Sequence, residues 1–588
     1  MAKDRAIVSR EDTWDVEAIF ATPEEWESAY TALKGEGEGG WQTLSTLREK
    51  LSEHAALKSL LDAYFDISLK FDQLLTYSHL KNDEDLGNQE GKERHDRGMI
   101  LLHTFASQTS WIEPEILQLP KEHLSEAAKA YPIYRVFFER LLELKPHTLS
   151  VKEEGLLSLS AKSLSTPGAT FNLMNNVDMT FDPVNGEELT VSRYSLYMRS
   201  EDRAKRQGAY ENFMGAYGAF ENTLAELLSG HVQTHLFQSR ARHYPDCVTA
   251  ALTPNQVDPA VFHALIKATH KELPHLHNYI SERKRILELD QLYLYDMYVP
   301  LVPDVKLNFS FDEAVEDILE SVAPLGSDYQ TILKKGLTDE RWVDRFENKG
   351  KRSGAYSSGC FGTHPYILMN YNGLLDDMMT LTHEAGHSMH TYHSHKHQPY
   401  PTSHYTIFVA EVASTFHEEL LFRHLLAKRS DPLERAFLIN QKIDGLRATF
   451  FRQVLFAEFE YKIHQMAEQG IPLNAAILKK TYGDLNREYY GKDLEVDDHL
   501  SREFMRVPHF YSNFYVYQYA TGISAALSLV DRVLSGGDSE RKDYLNFLSA
   551  GSSKPPVDLL KDAGVDMTQE APVRRLITYF NDLVGDFR

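Results

Sequence analysis

The feature that most constrains this chain is the reach of its helical periodicity. Apolar residues recur at three- and four-residue spacing through stretches rich in Glu, Lys, Ala and Leu, at residues 124–144, 202–238, 259–289 and 406–426. That is the pattern of helices that bury one face. Strand signals are few. Residues 178–182 and 188–191 flank Asn185-Gly186, which reads as a β-hairpin turn. Residues 366–370, between Pro365 and Asn372-Gly373, read as a second strand site. The expected class is therefore mainly α, with a small β-sheet and a hairpin. A length of 588 residues suggests several domains, yet there is no internal repeat and no low-complexity linker. Residues 35–40 form only a short Gly/Glu loop, and residues 298–304, with Pro300 and Pro303, are the best break between helical regions. The expectation is an N-terminal helical lobe over residues 1–200, including the hairpin near 178–191, followed by a larger C-terminal region over residues 201–588.

Charge and cysteine content narrow the function classes. Sixty-two basic against 85 acidic residues give a formal charge of −23. Phosphate backbones need a basic surface, so nucleic acid is not an expected partner. Two cysteines, Cys247 and Cys360, cannot build a disulfide framework and read as reduced thiols. The first residues lack the apolar core of a secretory signal, and no apolar run approaches the roughly 18 residues that span a bilayer. These signs point to the cytoplasm and away from the membrane.

The chemistry concentrates in residues 376–397, which contain His383-Glu384-Ala385-Gly386-His387, an H-E-x-x-H sequence. On a helix, positions i and i+4 lie one above the other. Two imidazoles so placed can hold one Zn²⁺, and Glu384 can reach a water at the metal and act as general base. Gly386 would allow close packing of another element against this helix. A third ligand is required. His393 stands at the metzincin distance, but that pattern needs a turn-forming Gly where this chain has His390, so the helix is expected to continue and carry His393 away. Glu411, 24 residues after His387 on the periodic stretch 406–426, is the gluzincin alternative. Glu418 lies on the same face and could accept a hydrogen bond from a ligand imidazole. Ser414 lies there too. The run of histidines from His387 to His404 reads as a helix end and surface loop with solvent-facing rings.

Two further segments look like substrate machinery. Gly354-Ala355-Tyr356 opens a small-residue stretch just before His364-Pro365-Tyr366 and the strand that runs to Asn370. An edge strand beside the H-E-x-x-H helix could bind an extended peptide as an added strand. Residues 509–519 hold His509, Tyr515, Tyr517 and Tyr519. Imidazole and phenol donors of this kind commonly stabilise an oxyanion.

Taken together, these segments resemble the oligoendopeptidase F group of the thimet-oligopeptidase superfamily of zinc peptidases. The resemblance covers nearly the whole chain. It includes Thr13-Trp14-Asp15, Arg199-Ser200 with Arg203 and Arg206, Tyr295-Asp296 with Tyr298, Lys351 to Tyr356, His364 to Tyr371, the H-E-x-x-H helix, Ala410-Glu411-Val412-Ala413-Ser414 and the His509 segment. It implies a two-lobed helical bowl or ellipsoid with one zinc per chain at the bottom of a deep channel. It also implies oligopeptide substrates and a monomer or small homo-oligomer. His383, His387 and Glu411 would bind zinc, with Glu384 as base. His509 and one of Tyr515, Tyr517 and Tyr519 would contact the substrate carbonyl, and Tyr515 and Tyr519, four apart, could share a face. The expected activity is internal cleavage of short peptides. A zinc exopeptidase and a catalytically inactive peptide-binding scaffold are the alternatives.

Overall fold

In the computed structural model, which describes residues 3–303 and 305–587, helices make up nearly all the regular structure. Asp304, at the end of the 298–304 stretch, lies outside the described residues. The long periodic segments are helical, with breaks where the local chemistry demands them. The 124–144 stretch splits into helices Lys121–Ala130 and Arg135–Leu144 around a short turn beginning at Pro132. Proline has no N–H to give a helix interior. The 202–238 stretch divides at Ala219-Phe220 into helices Arg203–Gly218 and Glu221–Ala241. Carboxylate caps begin several helices. Asp202 accepts from the Ala204 and Lys205 amides, and Asp258 accepts from Ala260 with Pro259 in the first turn.

The hairpin near 178–191 is reduced to its turn. Asn185 and Gly186 both have left-handed φ, +52° and +82°, as a tight two-residue turn requires. Pairing stops at the single bridge Val184–Glu187. Side chains take the groups a ladder would use: Asn212 donates to the Asp182 and Pro183 carbonyls, and Tyr197 donates to that of Glu188.

The described chain forms two compact units, each assembled from three stretches. The first takes in residues up to 146, with 306–428 and 529–565. The second takes in residues from 147 to 305, with 429–528 and the chain from 566 onward. A single cut at residue 200 does not describe this interleaved arrangement.

The first unit is built on a core that includes Trp14, Trp26, Trp41, Leu57 and Phe71. Against it lies a three-stranded sheet of β1 (Val343–Asp344), β2 (Tyr356–Ser358) and β3 (Tyr366–Leu368), in the order β1-β3-β2. β3 runs parallel to β1 and antiparallel to β2, with Ser357 opposite Ile367. This corrects the expectation that a peptide pairs with the 366–370 strand. β3 is the middle strand, fully buried, and its Ile367 and Met369 amides are bonded to the Trp342 and Asp344 carbonyls. The edges are β1 and β2, and β2 is the one beside the cavity at His387 and Glu411. Two helices follow, α1 (Leu375–His397) and α2 (Ile407–Lys428). Asp377 starts α1 by accepting from the Asn372 and Leu374 amides.

The second unit rests on helices including Pro259–Ile286, α3 (Arg452–Glu468) and α4 (Tyr517–Ser535). Arg203 and Arg206 both clamp the buried Asp296. Those three residues belong to the resemblance, and their role here is to fix helix Arg203–Gly218 to the Tyr295-Asp296 turn.

Candidate active site

α1 and α2 cross where neither has bulk. A Cβ on Gly386 would lie 2.6 Å from both the Ala413 carbonyl oxygen and the Ser414 Cα. The glycine inside H-E-A-G-H therefore lets α2 approach the face that carries both histidines, as the sequence suggested. The crossing brings Glu411 to them. Its Oε2 lies 3.4 Å from His383 Nε2 and 3.8 Å from His387 Nε2, and the two imidazole nitrogens are 3.1 Å apart. Donors around a tetrahedral zinc, bound at about 2.0–2.2 Å, sit ~3.3 Å from one another. The trio comes close to that spacing, the His387–Glu411 pair being the widest at 3.8 Å.

His393 is not part of this set. α1 continues to His397 with no turn, and the His393 ring stacks on Tyr329 at 5.6 Å. His390, expected to face solvent, is 1% exposed and stacks on Tyr405 at 3.7 Å. The histidine run is thus mostly helix, and part of it is core.

The surroundings tune the trio. Glu418 Oε1 lies 2.5 Å from His383 Nδ1, which turns the other ring nitrogen toward Glu411. Ser414 donates to Glu411 Oε2 at 3.3 Å. Burial would lower the His383 pKa, but the hydrogen bond and charge of Glu418, with Glu384 and Glu411, carry it up to about 9. Burial and the neighbouring His383 charge push His387 down to about 3. One imidazole thus holds a proton among three carboxylates, a place where a metal cation can substitute. Glu384 is nearly buried, and burial raises its pKa, opposed mainly by His383 and also by the Ser357 backbone N–H. A carboxyl group shifted upward in this way suits proton transfer near pH 7.

The proposed substrate segment separates into two kinds of residue. Ser357 and Ser358 on β2 and the following Gly359 face a cavity of about 350 Å³ that also touches His387, Thr391 and Glu411. Gly354, with φ of +87°, and Ala355 form the loop before β2. The other named residues brace that loop and strand. Tyr356 donates to Asp83 at 2.9 Å, and Asn370 donates to the Arg352 and Gly354 carbonyls. Tyr366 is buried in β3, and His364 stacks on Trp342. The sequence reading missed Thr391, His395 and Tyr405. The signal was present: His383, His387, Thr391 and His395 follow one another at i+4 along one helix face, and the last three line the same cavity. Tyr405 closes it, with its hydroxyl 2.8 Å from that of Thr391.

In the second unit, His509, Tyr515 and Tyr519 form one cluster. His509 lies parallel to the Tyr515 ring at 6.3 Å, and the two tyrosine hydroxyls are 3.4 Å apart. Tyr517 points the other way and packs edge-on to Phe262 in the core. The backbone is bent for this purpose. Phe514 has φ of +47°, and its amide donates to the buried Glu460 carboxyl at 2.7 Å.

Comparison with known proteins gives a consistent picture. Residues 196–578 match the model of peptidase family M3, and residues 115–181 match that of oligopeptidase F. The chain is 41% identical to oligopeptidase PepF of Bacillus subtilis (strain 168), over 99% of this chain and 88% of that one. It is 37% identical to an oligoendopeptidase F homolog of Lactococcus lactis subsp. lactis (strain IL1403), over 96% and 95%. Among solved structures, oligoendopeptidase-F from Enterococcus faecium superposes with a TM-score of 0.73 at 32% identity, covering 96% of this chain and 98% of that one.

Proposed function

From the premise that this chain belongs to peptidase family M3 and is a metalloendopeptidase, we propose that it cleaves internal bonds of oligopeptides at one zinc held by His383, His387 and Glu411. The observation that carries the reading is the closure of those three donor atoms within 4.8 Å of one another, with Glu384 and the β2 edge beside them. Zinc held there supplies positive charge that polarises a carbonyl and acidifies water.

The chain's own groups do the rest. Glu384 takes the proton of the attacking water and returns it to the departing amine. Glu418 keeps the His383 ring in one orientation. The outer edge of β2 offers backbone groups to an extended peptide, and the cavity bordered by Gly359, Thr391 and Tyr405 receives a side chain next to the scissile bond. His509, with Tyr515 or Tyr519, keeps the role the resemblance gives it, donating to the carbonyl oxygen as charge develops. An unchanged kcat in His509→Gln would remove it from that role. Cys247 and Cys360 are buried free thiols, which suits a reducing cytoplasm. Among the described residues no helix is long and apolar enough to cross a membrane.

The test of the endopeptidase reading is an internally quenched peptide blocked at both ends. The zinc-loaded protein should cleave it at an internal bond. Cleavage confined to peptides with a free terminus would make the enzyme an exopeptidase. A zinc-loaded protein that binds peptides and cleaves none would be a scaffold.

A further inference from the structure

A larger cavity, about 1020 Å³, lies wholly within the second unit. It is bounded by helix Val191–Met198, the 298–303 segment, helix Pro432–Leu446 and Arg506. Its wall, with the residues packed directly behind it, holds more guanidinium than carboxylate. Asp444 lies 3.6 Å from both Arg283 and Arg447, and Glu503 is bonded to both Arg452 and Arg506, at 2.7 and 3.0 Å. Two carboxylates thus serve four guanidinium groups, of which Arg283 and Arg447 are buried. Backbone carbonyls and rings absorb part of the rest. Arg447 donates to the Met297 carbonyl and lies over Tyr298, while Arg506 lies over Tyr194 and Phe213. These contacts leave the net charge in place. Four donor atoms on this wall are also buried without any hydrogen-bond acceptor: Nε and Nη1 of Arg447, Nε of Arg506 and the Tyr194 hydroxyl. Orphaned buried donors are rare and call for a reason, and uncompensated interior charge is costly. Arg199, exposed at the same cavity, adds a further cation. Glu201 is the other lining carboxylate besides Asp444. All this occurs in a chain with net charge −23, so the local excess is not a general property of its surface.

The geometry points to a second binding site, one that takes the C-terminal carboxylate of a short peptide, with Arg447, Arg506 and Arg199 as its cationic wall. A guanidinium prefers a planar carboxylate, which it can meet with two parallel N–H bonds. A phosphate dianion fits less well, because Glu201 and Asp444 share the lining. Met198, Val302 and Phe437 give the same cavity an apolar side for the terminal side chain. The volume is at the upper end of small-ligand sites and holds several residues. The ligand class rests on the peptidase reading, since such an enzyme both meets and makes peptide termini.

The test uses the full-length, zinc-loaded Glu384→Gln protein, so that binding is read without turnover. Calorimetry compares N-acetyl-Ala-Ala-Phe as the free acid with its C-terminal amide. The acid should bind about tenfold tighter or better, and Arg447→Met should erase the preference. Because Arg447 is buried and the variant could misfold, Arg199→Ala at the exposed rim is measured in parallel, with a several-fold loss expected at unchanged melting temperature. Equal binding of acid and amide overturns the proposal. So does an acid preference that survives both substitutions, which would place the carboxylate elsewhere, and so does stronger competition by inorganic phosphate than by the acid. If wild-type protein cleaves no peptide while the acid preference depends on Arg447, the peptidase mechanism fails and this site stands.

Discussion

The trio on α1 and α2 and the cavity of the second unit are opposite solutions to one problem. Around His383 and His387, three carboxylates, Glu384, Glu411 and Glu418, converge in a partly buried site. Around Arg447, four guanidiniums converge on two carboxylates. Each region carries an excess of one sign that the folded chain does not cancel. The first excess calls for a cation and the second for an anion. What differs is how the excess is assembled. The metal trio comes from two helices that cross at a glycine, within 29 residues of sequence from His383 to Glu411. The arginine wall draws on segments from Tyr194 to Arg506.

The comparison can be broken most sharply at Glu411. Glu411→Ala should purify without zinc and without activity, while His393→Ala keeps both, as measured by metal analysis of the purified proteins. Retention of zinc by Glu411→Ala would end the argument from convergent carboxylates.

The next largest effect concerns the opposite region. Arg452 and Arg506 outweigh the burial of Glu503 and hold its carboxyl down to about 2, against 4.5 for an ordinary Glu. A depressed carboxylate stabilises the fold above the unfolded pKa and loses that contribution as pH falls through the folded one. The difference amounts to ~3 kcal/mol. Wild-type stability should therefore fall between about pH 4.5 and pH 2 on this account. Glu503→Gln should lose a similar amount at pH 7 and show a flatter acid limb in chemical denaturation. An unchanged stability at pH 7 would mean that the guanidinium excess costs nothing and needs no ligand.

The smallest effect sharpens the metal side. Glu418→Gln keeps an acceptor near His383 Nδ1 but removes a charge. Zinc affinity should fall by about 10- to 100-fold, read by competition with a chelator. No change would show that Glu411 and the two imidazoles suffice.

The two regions were unequally legible in the sequence. His383, Glu384 and His387 were readable because helical spacing alone puts them together, and Gly386 was readable as a contact point. Glu411 was one of two candidates, and the missing glycine at His390 favoured it for a physical reason. The sheet was misread because strand propensity marks residues 366–368 as a strand without saying which neighbours it has. Its central position follows from β1, a two-residue strand with almost no sequence signal. The hairpin is shorter than its sequence suggests for a related reason, since the side chains of Asn212, 30 residues from Asp182, and of Tyr197 compete for its carbonyls. The choice among the tyrosines needed the left-handed turn at Phe514, which sends Tyr517 inward. Of the arginine wall the sequence marked only Arg199 and the 298–303 segment, and not their charge balance, because a charge imbalance appears only when the partners are counted in space.

The central claim is that Glu384 moves the proton at a zinc it does not bind. Glu384→Gln should hold one zinc per chain, as wild type does, and cleave an internally quenched peptide at least ~100-fold more slowly. A Glu384→Gln protein that retains zinc and cleaves at the wild-type rate would contradict the account.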